Sequence, residues 1–207
     1  MKRAALLVLL LASRAQAQSG SDEHMLAGAR HFQAGRYPEA LVEFRVAEKM
    51  SDAGAIWYVG ATLMKMKRPE DALVEFGRAE SAAPDERDGL LDYYHALACY
   101  DARLFFCADR LLAALGEQPG PRIAAQARKI RADLAPILST PPPIASVDWY
   151  HARAQEAIKA GRVALGCAYY EEAASLAVLR PDAHRRAEAL AALAQARQQH
   201  GAKASRQ

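Results

Sequence analysis

Long apolar runs are scarce in this chain of 207 residues, and beyond the first residues nothing approaches the ~20 consecutive apolar positions that a membrane-spanning helix needs. Aromatic residues make up only 7% of it, and valine and isoleucine are sparse beside abundant alanine, so helix is favoured over strand and almost no sheet is expected. An excess of one charge sign is missing too, with 27 Lys and Arg against 24 Asp and Glu. The broad basic footprint of a nucleic-acid or anionic-membrane binder is therefore lacking. Disorder is excluded from the other side, because 52% of the residues are hydrophobic.

Signatures of chemistry are equally scarce. The chain has no phosphate loop, no nucleophile elbow, no HExxH and no paired CxxC. Its six histidines are scattered, and His24 and His31 stand two helical turns apart, too far to share a metal without a third group. Glu171 and Glu172 are adjacent and point to different azimuths on a helix, which suits a solvated face better than an acid/base pair. The expectation is a protein that is not an enzyme, with no cofactor and no metal. Scattered polar residues such as Asp92, His95 and Asp101 would have to converge for that to fail.

What is present begins with the N-terminus. Lys2 and Arg3 precede an apolar run over Ala4 to Ala12, too short to span a bilayer, and Ala15-Gln16-Ala17 places small residues where a signal peptidase reads them. Residues 1–17 read as a signal peptide cleaved after Ala17, with an uncleaved anchor as the alternative. Removal takes away Lys2, Arg3 and Arg14, leaving 27 − 3 = 24 basic against 24 acidic residues. The mature chain is then near neutral, without a transmembrane segment, and exported. With the Ala-, Leu- and Arg-rich composition the natural destination is a bacterial periplasm, or full secretion.

An internal repeat dominates the rest. Ala40-Leu41-Val42-Glu43-Phe44 recurs as Ala72-Leu73-Val74-Glu75-Phe76, with Ala47 and Ala79 at the same offset, a separation of 72 − 40 = 32 residues. Gly28 and Gly60 precede the two copies at matching places. This resembles the tetratricopeptide repeat family, whose period is about 34 residues. The resemblance implies that Gly28 and Gly60 lie in the first helix of each pair, where a missing side chain lets the partner helix approach. Ala40 and Ala72 do the same from the second helix, Phe44 and Phe76 fill space towards the next repeat, and Pro84 ends the second unit. Gly35-Arg36-Tyr37-Pro38 makes the turn of the first pair, and Lys67-Arg68-Pro69 the second, without its glycine. A looser third unit spans Leu91 to Leu115 on Ala96, Ala108 and Leu112, and a helix over Arg122 to Leu138 can cap the stack.

Thr140-Pro141-Pro142-Pro143-Ile144 then interrupts the helical pattern. Beyond it, Ala154, Gly161, Gly166 and Tyr170 mark a divergent further pair, closed by a helix from Asp182 to His200. The expected architecture is all-α, a right-handed helical-hairpin repeat solenoid with a C-terminal helical pair after a Pro-rich linker. Its parts are the repeats and cap at 18–138, a linker at 139–146, the pair and closing helix at 147–200, and a disordered tail at 201–207.

In such stacks the first helices line a concave surface. The register of Gly28, Gly60 and Ala96 turns Met25 and Phe32, Trp57 and Met64, then Tyr93 and Tyr100 towards it. Aromatic anchors and pliable methionines suit capture of an apolar or aromatic peptide or helix. The alternative is that this stripe is core. Family members that clamp acidic chaperone tails use Lys and Asn on that surface, and Met25, Ala29, Trp57 and Ala61 stand there instead. Three cysteines in an exported chain allow one bridge. Cys99 and Cys107 flank the turn of the third pair and can face each other; the other reading leaves them as small buried thiols. Cys167, beside Gly166, is expected to stay a thiol. The functional expectation is a protein-binding scaffold of the cell envelope, with homo-oligomer assembly through Trp149, Tyr150 and Tyr170 as the alternative.

Overall fold

A computed structural model describes residues 20–86, 88–115, 120–141, 143–179, 188 and 190–198. The expected leader at 1–17 with its cleavage point, Pro142, the Asp182 cap and the tail at 201–207 lie outside them. Among the described residues every regular element is helical and no strand is present. Helix α1 covers residues 20–33, α2 Tyr37–Lys49, α3 Ala55–Lys65 and α4 Pro69–Ala82, with a 3-10 turn at Pro84–Glu86. Then come α5 Gly89–Asp101, α6 Phe105–Leu115, α7 Pro121–Ser139, α8 Ile144–Lys159, α9 Val163–Val178 and α10 over residues 190–198. They fall into two compact units, Met1–Arg87 and Asp88–Gln207. Within the first unit α2 packs on α3 and α3 on α4, and within the second α5 packs on α6, α6 on α7 and α8 on α9.

Helix starts follow from residue type. Proline occupies the first turn of α2, α4 and α7, where its missing N–H leaves nothing unsatisfied and its fixed φ is already helical. Asp88 caps α5, its carboxylate accepting from the amides of Leu90 and Leu91, each at 2.8 Å.

The hairpins share one turn. Gly35, Lys67, Arg103 and Gly161 each take a left-handed conformation, with φ of 74°, 60°, 65° and 77°. At each, the amide of that residue and the next bond back to carbonyls of the preceding helix: Gly35 to Phe32 and Arg36 to His31, Lys67 to Met64 and Arg68 to Leu63. Arg103 and Leu104 bond in the same way to Tyr100 and Cys99, and Gly161 and Arg162 to Ile158 and Ala157. This satisfies the carbonyls a helix end leaves open and reverses the chain within a few residues.

In the first unit, a Cβ on Gly28 would lie 2.6 Å from the Phe44 ring, and one on Gly60 2.7 Å from the Phe76 ring. Each glycine is thus the seat of the phenylalanine of its own hairpin, and Phe44 also meets the Tyr58 ring of the next helix at 5.3 Å. Ala40, Ala47, Ala72 and Ala79 are fully buried. On another face, Arg45, Glu48, Glu75 and Arg78 form a charge network between α2 and α4. Burial works to raise the Glu48 carboxyl, but hydrogen bonds from Arg45 and Arg78 outweigh it and hold it below its ordinary value.

In the second unit Ala96, Leu112, Leu115 and Ala127 form a core across α5, α6 and α7, flanked by Tyr93, Leu111 and Ile130. Gly166 sits against the Ile158 side chain and the Ala154 carbonyl, so α8 and α9 approach there as closely as backbone allows. Because α7 runs to Ser139 and α8 starts at Ile144, the break between them is confined to residues 140–143 and lies inside this unit.

Candidate functional site

The six residues expected to line a concave surface have different surroundings. Trp57 is fully buried, its indole N–H donates to the Ala83 carbonyl at 2.8 Å, and its ring lies 5.9 Å from that of Phe76. Met64 is buried as well. These two are packing residues, because the chain after α4 turns over the indole and satisfies its only polar atom. Met25 and Phe32 are half-buried, Phe32 edge-on to Tyr37 at 5.6 Å. Tyr93 and Tyr100 belong to the second unit; the Tyr93 hydroxyl bonds Gln126 Oε1 at 3.1 Å, and Tyr100 is exposed beside Phe105. The first unit also carries a cavity of about 910 Å³, but its walls include Asp22, Asp52, Asp85 and Glu86 and suit water better than an apolar segment.

A different apolar groove opens in the second unit. A cavity of about 600 Å³ is bounded by Arg103 in the α5–α6 turn, Phe105 at the start of α6, Ile137 near the end of α7, Pro141 and Pro143 in the break, and Trp149 and Tyr150 on α8. Ile137 is 42% and Trp149 39% exposed, large apolar side chains at the surface of one cavity. The guanidinium of Arg103 lies over the Trp149 ring at 5.9 Å, and the Tyr150 and Tyr169 rings meet that indole edge-on at 4.9 and 6.1 Å. The indole is thereby held in one orientation with part of its surface open.

Two buried polar groups bond across this unit, and one of them, Tyr150, lines the groove. The Tyr150 hydroxyl donates to the carbonyl of Arg103, the left-handed residue of the α5–α6 turn. Burial pushes that phenol far above its ordinary range, so it stays a donor. Glu172, only 2% exposed, reaches from α9 to the start of α6 and accepts from the amides of Phe106 at 2.9 Å and Cys107 at 3.4 Å. It is a remote N-cap: open donors at the helix start are satisfied by a carboxylate more than sixty residues away. Burial raises its pKa from 4.5 to about 7, against the amide hydrogen bonds and the charge of Arg110, which pull it down.

Glu172 corrects the solvated-face expectation for the adjacent acids. Leu165, Tyr169, Glu172 and Leu176 follow helical spacing and all are buried, so Glu172 stands on the apolar stripe of α9. That spacing was the signal available in the sequence. Glu171 pairs instead with Arg197 of α10. Tyr150 and Tyr170 are buried within their own unit, which leaves Trp149 as the exposed ring of the three named for self-association.

Cys99 and Cys107 are joined in a disulfide between α5 and α6, with Cα atoms 6.0 Å apart. Cys167 is free and half-buried, and burial pushes its thiol up. No helix among the described residues is long and apolar enough to cross a membrane. Comparison with known protein families, curated proteins and solved structures gives no match to this chain.

Proposed function

We propose that this chain is a non-catalytic interaction scaffold of the cell envelope, a right-handed tetratricopeptide-type solenoid that binds an apolar or aromatic stretch of another polypeptide. The observation that carries the reading is the groove of the second unit. It offers partly exposed Ile137 and Trp149 on α7 and α8, with proline rings on one side and, as the one cation among its described lining residues, Arg103 engaged on the indole. Such a surface has apolar area to bury, and among the described residues that line it there is no catalytic constellation. The repeated Ala-Leu-Val-Glu-Phe segments and the shared hairpin turn support the repeat assignment. The basic start, short apolar run and Ala15-Gln16-Ala17 support export, with the periplasm as destination. Binding moves from the stripe through Trp57 to the groove at Trp149, because Trp57 is consumed by packing.

The test is selection of displayed peptides on the mature protein, followed by direct titration of the selected peptides against wild type, Trp149→Ala and Ile137→Asp. Apolar or aromatic peptides should be enriched, and either substitution should weaken them by roughly thirtyfold, the effect of losing about 2 kcal/mol from an anchor residue. Peptides that bind all three proteins equally would move the site elsewhere. Concentration-dependent dimerisation abolished by Ile137→Asp would identify a second copy of this chain as the occupant.

A further inference from the structure

We propose that the α5–α6 hairpin carries a redox-gated zinc site formed by His95, Cys99 and Cys107, available when the disulfide is reduced and closed when it is oxidised. The ligand atoms of these three residues lie within 4.8 Å of one another. His95 and Cys99 stand four residues apart on α5 and so share a face, and Cys107 comes from the first turn of α6, which the left-handed turn at Arg103 folds back against it. Zinc bonded to sulfur at about 2.3 Å and to nitrogen at about 2.0 Å separates its tetrahedral donors by roughly 3.5–3.8 Å, inside the 4.8 Å that bounds the three ligand atoms and reached by the two sulfurs when they part on reduction.

Donor type and charge select the ion. Two thiolates and an imidazole are soft to borderline ligands, which disfavours magnesium or calcium. Zn²⁺ with two thiolates and a neutral imidazole sums to zero charge, so burial of His95 and Cys99 does not oppose it. Cys107 is half-buried, which leaves a side open for a water as fourth ligand and for entry of the ion.

The gate is stoichiometric. A dithiol reduces the Cys99–Cys107 bond by two electrons, giving two thiols here and one disulfide in the reductant. Zinc then displaces both thiol protons, forming two sulfur–zinc bonds and releasing two H⁺. Both sulfurs are needed for either the bridge or the metal, so the two states exclude each other, and each ties α5 to α6.

The experiment uses the mature full chain, metal-free, either oxidised or reduced with a phosphine that is then removed, and titrated with Zn²⁺ alone; Co²⁺ serves as the spectroscopic probe. The reduced protein should bind one zinc per chain, and cobalt should give thiolate charge-transfer absorption that the oxidised protein lacks. Cys107→Ser and His95→Ala, checked for retained helix by circular dichroism, should weaken zinc by more than the roughly tenfold to hundredfold that a supporting contact is worth. Cys167→Ser should change nothing. Equal zinc uptake by oxidised and reduced wild type overturns the proposal without reliance on any variant. So does undiminished affinity in Cys107→Ser or His95→Ala, or loss of the cobalt absorption in Cys167→Ser.

Discussion

Glu172 works as a hydrogen-bond acceptor inside the second unit, and its burial makes the charged form expensive. A carboxyl whose pKa rises from 4.5 unfolded to about 7 folded favours folding while it is protonated. That contribution is fully present below the unfolded value and lost as pH rises through about 7. It amounts to about 3 kcal/mol, from a shift of ~2.5 units at 1.36 kcal/mol each. Unfolding by denaturant across pH 4 to 8 should therefore show wild-type stability falling towards neutral pH relative to Glu172→Gln, in which this slope disappears. Parallel pH profiles for the two proteins would mean that the amide donors of α6 hold the carboxylate charged at no cost. At this scale the sequence was legible for small residues and illegible for partners. Gly28 and Gly60 are recognisable by repetition, whereas the bond from Trp57 to the Ala83 carbonyl depends on where the chain goes after α4.

Each hairpin rests on one residue in a conformation that L side chains disfavour. Gly35 and Gly161 accept it without strain, while Lys67 and Arg103 adopt it at φ of 60° and 65° against the clash between Cβ and backbone. Arg103 has a reason to keep its side chain, which lies over Trp149. Lys67 is exposed. Lys67→Gly should therefore raise the unfolding free energy by about 0.5–1 kcal/mol, relief of strain exceeding the added entropy of the unfolded chain. An unchanged or lower denaturation midpoint would show that the lysine pays no conformational cost there. Helix positions were readable because apolar spacing, proline at first turns and glycine at turns act within a few residues. The missing glycine at Lys67 left that turn unmarked except by its place in the repeat. The proline break was visible too, but its extent was not, since α8 begins at Ile144 rather than after residue 146.

All three cysteines lie in the second unit, so reduction discriminates between the units. The bridge closes a loop of sequence separation 8, and a loop of that length limits unfolded-chain entropy by about 2.5 kcal/mol on the chain-entropy model. Under reducing, metal-free conditions, amide exchange read by mass spectrometry should accelerate across α5 and α6 and stay unchanged in α1 to α4. Acceleration of equal size in α1 to α4 would mean that the units open together.

Local and periodic properties of this molecule were determined by sequence alone: helices rather than strands, the repeated Ala-Leu-Val-Glu-Phe element with a glycine ahead of each copy, and the place of Cys99 and Cys107 on either side of a short turn; that Phe44 and Phe76 seat on the glycines of their own hairpins was not among them. These local properties depend on spacing along the chain, where a helix places residues three or four apart on one face. Tertiary structure decided which aromatic rings are interior and which remain open. It buried Trp57 and left part of Trp149 exposed, and it carried the Glu172 carboxylate to the start of α6. Those outcomes depend on contacts within each unit between residues tens of positions apart, which no local pattern encodes.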